Sequence, residues 1–303
     1  MAEARLEPGI ITRAQSGFFT VQTKDGTLIC RLRGRLKQGP RLGDIATIGD
    51  HVLISRLPDG SGMIESIAPR QRALVRLDPR PQGTYQQVLI ANLDQAVCVF
   101  ACANPTPRLR MLDRLLVIAE KQGIPALIIA NKVDLVGQEE AERLFGLYPP
   151  IGYPVLYTSV KTGQGLEELR KALAGKISAL AGPSGVGKSS LLNTLQPGLG
   201  LAVREVSEAV NKGRHTTTVR QMFPFEGGYV ADMPGMRALA LWDTEPEEMD
   251  GYFPEIAPLV AHCQFSDCTH IHEPGCAVRQ AVQEGKVSPQ RYESYLRLRA
   301  GEE

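Results

Sequence analysis

At 303 residues, 43% hydrophobic and 22% charged, the chain has the length for two or three domains and the balance of an ordinary globular protein. The apolar runs, such as ALIIA (126–130), are far too short to cross a bilayer, and the opening MAEARLEPG lacks the apolar core of a secretion signal, so the expectation is a cytoplasmic protein with no membrane partner. Net charge is only +1, but residues 1–80 carry 13 Lys/Arg against 8 Asp/Glu and the rest 21 against 25, which points to an anion-binding N-terminal region.

Short alternating segments fill that region: GIITRAQSGFFTVQT, TLICRLRGRLK, DIATIGDHVLISRL and GMIESIAP. Several short strands in about 70 residues predict a small barrel of the five-stranded oligonucleotide-binding (OB) type over residues 1–72. Read as one strand, 26–37 places Leu28, Cys30, Leu32, Gly34 and Leu36 on one face. Arg31, Arg33, Arg35 and Lys37 fall on the other, either a solvated face or a seat for RNA. A linker, RLDPRPQG (76–83), follows.

Strands and helices then alternate over 73–242, predicting an α/β domain with a mostly parallel sheet. QAVCVFAC reads as a buried strand, and RLRMLDRLLVIAEKQG as a helix with Leu109, Leu112, Leu116 and Ala119 on one face, stopping at Gly123. PALIIANKVD, YPVLYTSVK and KISALAG read as further strands, GLEELRKALAG as a helix, and TTVRQMFPF and GYVADMPG as two more strands. The last segment, 243–303, starts acidic and ends in a helix with Ser288 as N-cap, Pro289 at its first position and Gly301 beyond its end.

Between a strand and a helix, Gly182, Pro183, Ser184, Gly185, Val186, Gly187, Lys188, Ser189 and Ser190 spell a phosphate-binding loop, GxxxxGKS. Its amides and the following helix start would surround phosphates, Lys188 would add charge, and the Ser189 hydroxyl would hold Mg2+. NKVD chooses the base. The Asp134 carboxylate can accept from both guanine N1–H and the exocyclic amine, whereas adenine N1 offers a lone pair. Asn131 would touch the base from its other side and Lys132 would lie along the ring. TSVK (158–161) supplies Ser159 to buttress the base, and DMPG (232–235) supplies Asp232 toward Mg2+ and Gly235 toward the γ-phosphate. GRHTTT (213–218) supplies a Mg2+-binding threonine; Thr217 is preferred, but spacing does not separate it from Thr216 or Thr218.

Five motifs together imply a GTPase binding GTP or GDP with Mg2+, in an unusual order. NKVD and TSVK precede the phosphate loop, which normally comes first. This is a circular permutation with the new ends cut after DxxG, so that the switch at Gly235 runs through 236–248 into the C-terminal segment. One reading of that path is that GTP fixes the C-terminal domain and hydrolysis frees it. The place where many GTPases keep a water-orienting glutamine holds Met236. His215 is the in-chain candidate for that work, and an exposed or RNA-facing side chain is the plain alternative.

Cys263-x4-Cys268-x-His270-x5-Cys276 offers three thiolates and an imidazole, enough for a closed, structural zinc site. His262 and His272 compete for the nitrogen position on spacing alone. Cys30, Cys98 and Cys102 read as small buried thiols.

With the barrel, the permuted motifs, GRHTTT and CQFSDCTHIHEPGCAV (263–278) in hand, the chain resembles the circularly permuted, ribosome small-subunit-dependent GTPase A family (RsgA/YjeQ). The resemblance spans nearly the whole chain. It implies an OB-type barrel, a permuted P-loop GTPase domain and a helical zinc domain, with His270 as the nitrogen ligand and one structural Zn2+ per chain. It implies a factor that binds the small ribosomal subunit and its rRNA late in maturation and leaves after hydrolysis; the expected state of the chain is a monomer. Met233 in DxxG and Val160 depart from the family's usual residues without removing a side chain needed for nucleotide. A GTP-dependent RNA-binding switch outside ribosome assembly is the alternative; a metabolic kinase fits the guanine motifs poorly.

Overall fold

The computed structural model describes residues 6–38, 43–77, 86–199, 220–232 and 244–302. Strands β1 (Glu7–Gln15), β2 (Phe18–Thr23), β3 (Gly26–Leu32), β4 (His51–Arg56) and β5 (Gly62–Ile67) run in the order β1-β2-β3-β5-β4 and close through β4 onto β1. Only β3–β5 is parallel. Alternate residues Ile11, Val21, Cys30, Ile54 and Ile64 fill the interior, and a register shift between Ile11 and Arg13 helps the sheet curl shut.

The expected row of four cations is broken. β3 ends at Leu32, and Gly34–Lys37 forms a 3-10 turn, so Arg35 and Lys37 leave the strand face. Arg33 and Arg35 turn instead to Glu65 on β5, whose buried carboxylate needs countercharge. Arg33 pairs with it directly, Arg35 Nη2 donates to its backbone carbonyl at 3.0 Å, and Ser55 Oγ donates to it at 2.7 Å. Arg33, then Ser55 and Arg35, hold the Glu65 carboxyl below its ordinary range despite burial. Arg31 stays on the outer face, its guanidinium 4.6 Å from the Phe18 ring centre.

Where a linker is expected, β6 (Ala73–Leu77) pairs with β7 (Gln86–Ala91) in an antiparallel ribbon that takes in Arg76 and Leu77. The rest of that stretch lies outside the described residues. A second sheet contains β8 (Gln95–Ala101), β9 (Ala126–Asn131), β10 (Val155–Thr158), β11 (Ile177–Ala181), β13 (Phe223–Phe225) and β14 (Gly228–Asp232). Its order is β10-β9-β8-β11-β14-β13, parallel except for β13. Strand β11 thus sits at the centre although it is made after β8, β9 and β10.

Because both faces are covered, β8 is buried throughout its middle. Val97 and Val99 face Leu169 of α3 (Leu166–Leu173) and Leu191 of α4 (Lys188–Leu195). Cys98 and Phe100 face Leu112 and Leu116 of α1 (Leu109–Lys121) and Phe145 of α2 (Gln138–Phe145). Burial pushes the Cys98 thiol up to about 12 and those of Cys30 and Cys102 up to about 11, so all three stay neutral packing groups. Helix α2 was not legible as a helix, since only Ala141 and Phe145 of its eight residues are buried.

The stretch TTVRQMFPF is not one strand on one sheet. β12 (Arg220–Gln221) joins the barrel beside β1, and β13 joins the second sheet, with buried Met222 between them.

The C-terminal segment holds α5 (Ala257–Val260), α6 (Ala277–Gln283) and α7 (Pro289–Arg299), the last starting after Ser288 with Pro289 at N1, as expected. It packs on α1, which explains why that helix buries Asp113 and Val117 in addition to its predicted face. Asp113 accepts from Arg291 Nη1 at 2.8 Å, from Tyr148 Oη at 2.9 Å and from Ser294 Oγ. Arg291, 1% exposed, also donates to Glu255 Oε1 at 2.6 Å and stacks 4.5 Å from the Phe253 ring centre. Such a network clamps the C-terminal unit to α1, so freeing it would expose ionic groups that satisfy one another. The expectation that hydrolysis releases this unit therefore meets a large opposing cost, and the tether 236–243 lies outside the described residues. Replacing Asp113 by Ala strands Arg291 beside a single carboxylate and should cost about 3–5 kcal/mol. A urea-unfolding midpoint at the wild-type value would contradict this.

Candidate nucleotide and metal sites

The phosphate loop runs from the end of β11 to the start of α4. Two of its glycines are dictated by neighbours. At Gly182 (φ +148°) a Cβ would lie 2.0 Å from the Val99 carbonyl oxygen, and at Gly187 (φ +100°) one would lie 2.5 Å from Asn131 Nδ2. Lys188 rests its ammonium on the loop's own carbonyls, donating to Gly182 O at 2.9 Å and Pro183 O at 3.1 Å. Val186 is buried as the loop's apolar anchor. Ser184 is exposed, while Ser189 and Ser190 are half-buried at the opening of α4.

NKVD leaves the end of β9 two strands away and is sewn to this loop. Asn131, buried, donates from Nδ2 to Val186 O at 2.8 Å and accepts from Thr158 Oγ1 at 3.0 Å. Lys132 adopts a left-handed backbone (φ +64°) and donates to Gly185 O at 2.7 Å and to Asn104 O at the start of the loop before α1. Partial burial lowers the Lys132 pKa, with nearby Asp134 acting in the opposite sense. Buried Ser159 donates to Asp134 Oδ1 at 2.6 Å and accepts from Thr162 N–H at 3.2 Å, which aims the exposed carboxylate. Asn131, Lys132, Asp134 and Ser159 therefore converge with the phosphate loop at one end of the sheet, where parallel strands of this architecture place ligands. Thr158 and Asn104 complete the arrangement; Thr158 opens the TSVK motif, in which only Ser159 is given a role from sequence, and an isolated Asn104 carries no signal there.

Asp232 ends β14, level with Leu180 of β11, so DxxG starts beside the phosphate loop. Gly235, His215 and Thr216, Thr217 and Thr218 lie outside the described residues.

In the C-terminal unit, Cys263 Sγ, Cys268 Sγ, a His270 ring nitrogen and Cys276 Sγ all lie within 4.8 Å of one another. His270 Nδ1 is 3.5 Å from Cys263 Sγ and 3.4 Å from Cys276 Sγ, and the two sulfurs are 4.0 Å apart. Tetrahedral zinc with Zn–S of about 2.3 Å sets its sulfurs roughly 3.8 Å apart, so the donor set fits that ion. Nε2 of His270 faces Asp250 Oδ2 at 3.3 Å, the outer contact that fixes the tautomer of a ligating imidazole. His262 and His272 are both exposed, and burial separates them from His270 as their spacing could not.

The family model described as RsgA GTPase matches residues 67–242, and the one described as RsgA N-terminal domain matches residues 8–64. The chain belongs to the RsgA GTPase family. It is 47% identical to a Gemmatimonas aurantiaca protein named small ribosomal subunit biogenesis GTPase RsgA, over 96% of each chain. It is 44% identical to one of the same name from Moorella thermoacetica, over 95% of this chain and 94% of that one. Among solved structures it resembles YjeQ from Thermotoga maritima (TM-score 0.80, 36% identity, 98% of each chain). It also resembles YloQ, titled a circularly permuted GTPase (TM-score 0.75, 32% identity, 99% of this chain and 96% of that one). Like YloQ as its title describes it, this RsgA-family chain is circularly permuted, with β11 at the centre of its sheet, and among its described residues no helix is long and apolar enough to cross a membrane.

In the clamp between loop and base motif, Gly187→Ala would push a methyl into Asn131 and strain a left-handed backbone. GTP affinity should fall by more than tenfold, since displacing Asn131 leaves buried polar groups unpaired at about 1–3 kcal/mol each. Titration with a fluorescent GTP analogue reads the loss; affinity within twofold of wild type would contradict it.

Proposed function

We propose that the protein is a Mg2+-dependent GTP hydrolase that binds the small ribosomal subunit and its rRNA and assists late maturation of that subunit. The observation that supports the GTP half is the pair of bonds from Asn131 and Lys132 to the phosphate-loop carbonyls, as expected if the NKVD and GxxxxGKS motifs serve one nucleotide. The ribosomal half rests on the shared name of the relatives. It agrees with the barrel's outer face, where Phe18 (45% exposed), Ile29 (61% exposed) and Arg31 offer an aromatic, an apolar contact and a cation to unpaired bases and phosphates.

In this reading residues 1–72, 73–242 and 243–303 act as barrel, nucleotide and zinc domains in a monomeric, cytoplasmic chain. Bound Mg2+ would neutralise the developing charge on the phosphates, held by Ser189, Asp232 and a threonine of 216–218, with Thr217 preferred. The chain itself orients the nucleotide. Asp134 accepts from guanine with its carboxylate fixed by Ser159, Lys132 lies along the base, Lys188 leaves its loop carbonyls for the phosphates, and Gly235 meets the γ-phosphate. His215 is the candidate for orienting the attacking water. Cys263, Cys268, His270 and Cys276 would hold Zn2+ with no open position, a structural role.

GTP turnover should be slow alone and accelerated by purified small subunits, but not by large subunits or free RNA. Equal acceleration by free RNA would favour the alternative of a general RNA-binding switch. In the same assay His215→Ala should bind GTP normally and lose most of the acceleration. Metal analysis of protein purified without chelator should find one zinc per chain, lost in Cys268→Ala with GTP binding spared; zinc-free wild-type protein would refute the site.

A further inference from the structure

Residues 220–225 join two bodies. β12 lies on the barrel, with Arg13 opposite Gln221 and Ala14 opposite Arg220, and Met222 N–H donates to Thr12 O at 2.8 Å. One residue on, β13 lies along β14, the strand that ends in Asp232. Arg220 is the bolt of this joint. Its Nη1 donates to Asp44 Oδ2 at 3.1 Å, to Thr47 Oγ1 at 3.3 Å and to Val88 O at 2.5 Å. Asp44 and Thr47 belong to the barrel's loop before β4, and Val88 to β7.

The loop that receives Arg220 is stiff. Arg70 grips fully buried Asp50 with two bonds of 2.7 and 2.8 Å and donates to the Asp44 and Ile45 carbonyls. Thr47, also fully buried, donates its N–H to Asp50 Oδ2 at 2.8 Å and its hydroxyl to Val88 O at 3.1 Å. Arg220 therefore enters a preformed, partly desolvated cradle, where a charge-assisted contact is strong.

In sequence, Thr218 precedes Arg220 by two residues, a span of at most about 7 Å. The framework to which the switch threonines are attached at this end is thus the barrel, not the sheet carrying the phosphate loop. We propose that Arg220 couples the barrel to subunit-stimulated hydrolysis, outside the machinery of unstimulated turnover. By pinning the C-terminal end of the switch-threonine segment to the barrel, it makes RNA docking on the barrel and engagement of that threonine with Mg2+–GTP bias each other. The identity of the barrel's ligand rests on the ribosomal reading above; the joint does not.

Two measurements on the full-length protein test this. In the first, Arg220→Ala and the milder Asp44→Asn are assayed for GTP affinity, unstimulated turnover, subunit binding and subunit-stimulated kcat, with melting temperature as a control. Stimulated kcat should fall by about tenfold, which is about 1.4 kcal/mol of the stimulated barrier. GTP affinity and unstimulated turnover should stay within twofold, and Arg220→Lys, which keeps the charge without the fork, should fall between. A mere brace would instead lower the melting temperature, affinity and both rates together. Wild-type stimulation in Arg220→Ala and Asp44→Asn overturns the proposal. Absence of stimulation in the wild type itself overturns the ribosomal reading.

The second measurement needs no subunit. Amide hydrogen exchange of the protein alone should show greater protection at Thr12–Gln15 of β1 with a GTP analogue than with GDP, and Arg220→Ala should abolish that difference. A wild type without the difference, or a variant that keeps it, overturns the joint.

Discussion

One hydrogen bond ties the nucleotide site together: Asn131 Nδ2 to Val186 O, across 55 residues of chain. It requires β9 and β11 to hold their places on either side of β8, Gly187 to lack a side chain, and Thr158 to hold the amide's other end. Each of those requirements is local, and none depends on which segment is synthesised first. That is why the motifs can be permuted without loss of the site. A sheet is specified by which strands touch, and the β10-β9-β8-β11-β14-β13 order brings the NKVD and GxxxxGKS loops to one end of it.

The flanking units attach by different chemistry. The C-terminal unit is clamped to α1 by Asp113, Arg291 and Glu255, groups that are stable in the interior only as a set. The barrel is attached through backbone pairing at β12, the loop around buried Asp50 and the contacts of Arg220, whose ion pair with Asp44 is partly open to solvent (24% and 23% exposed). The first junction suits a fixed platform and the second suits small adjustments, because solvent can share the cost of shifting its ionic groups.

Much of this was written in the sequence where side-chain chemistry is narrow. A phosphate loop, NKVD and a Cys3His spacing admit few alternatives, and strands such as β8 and β11 are apolar enough to be read as buried. What escaped depended on distant partners. Arg33 and Arg35 looked like a basic face because Glu65, thirty or more residues away, is silent in a local reading. TTVRQMFPF has uniform strand character, so nothing in it marks Met222 as the point where the chain changes sheets. Helix α2 carries too few apolar positions to announce a face, and the pairing of β6 with β7 was hidden by Pro79, Pro81 and Gly83 in the sequence between them. His270 was chosen over His262 and His272 by resemblance, and only burial gives the physical reason.

The central place of β11 bears on how the protein is made. Gln95 of β8 pairs with Ser178 of β11, 83 residues later. At 5–20 residues per second that separation corresponds to roughly 4–17 s of translation. During that interval β8, β9 and β10 can assemble with α1 and α2, but β8 presents an open, apolar edge of the kind that pairs wrongly with other chains. Asp113 waits longer still, since Arg291 follows it by 178 residues. A nascent chain of this permuted order therefore exposes its NKVD half well before the GxxxxGKS loop has been made. Shielding of that edge at the exit tunnel, rather than final stability, should set how much of the protein reaches its folded state.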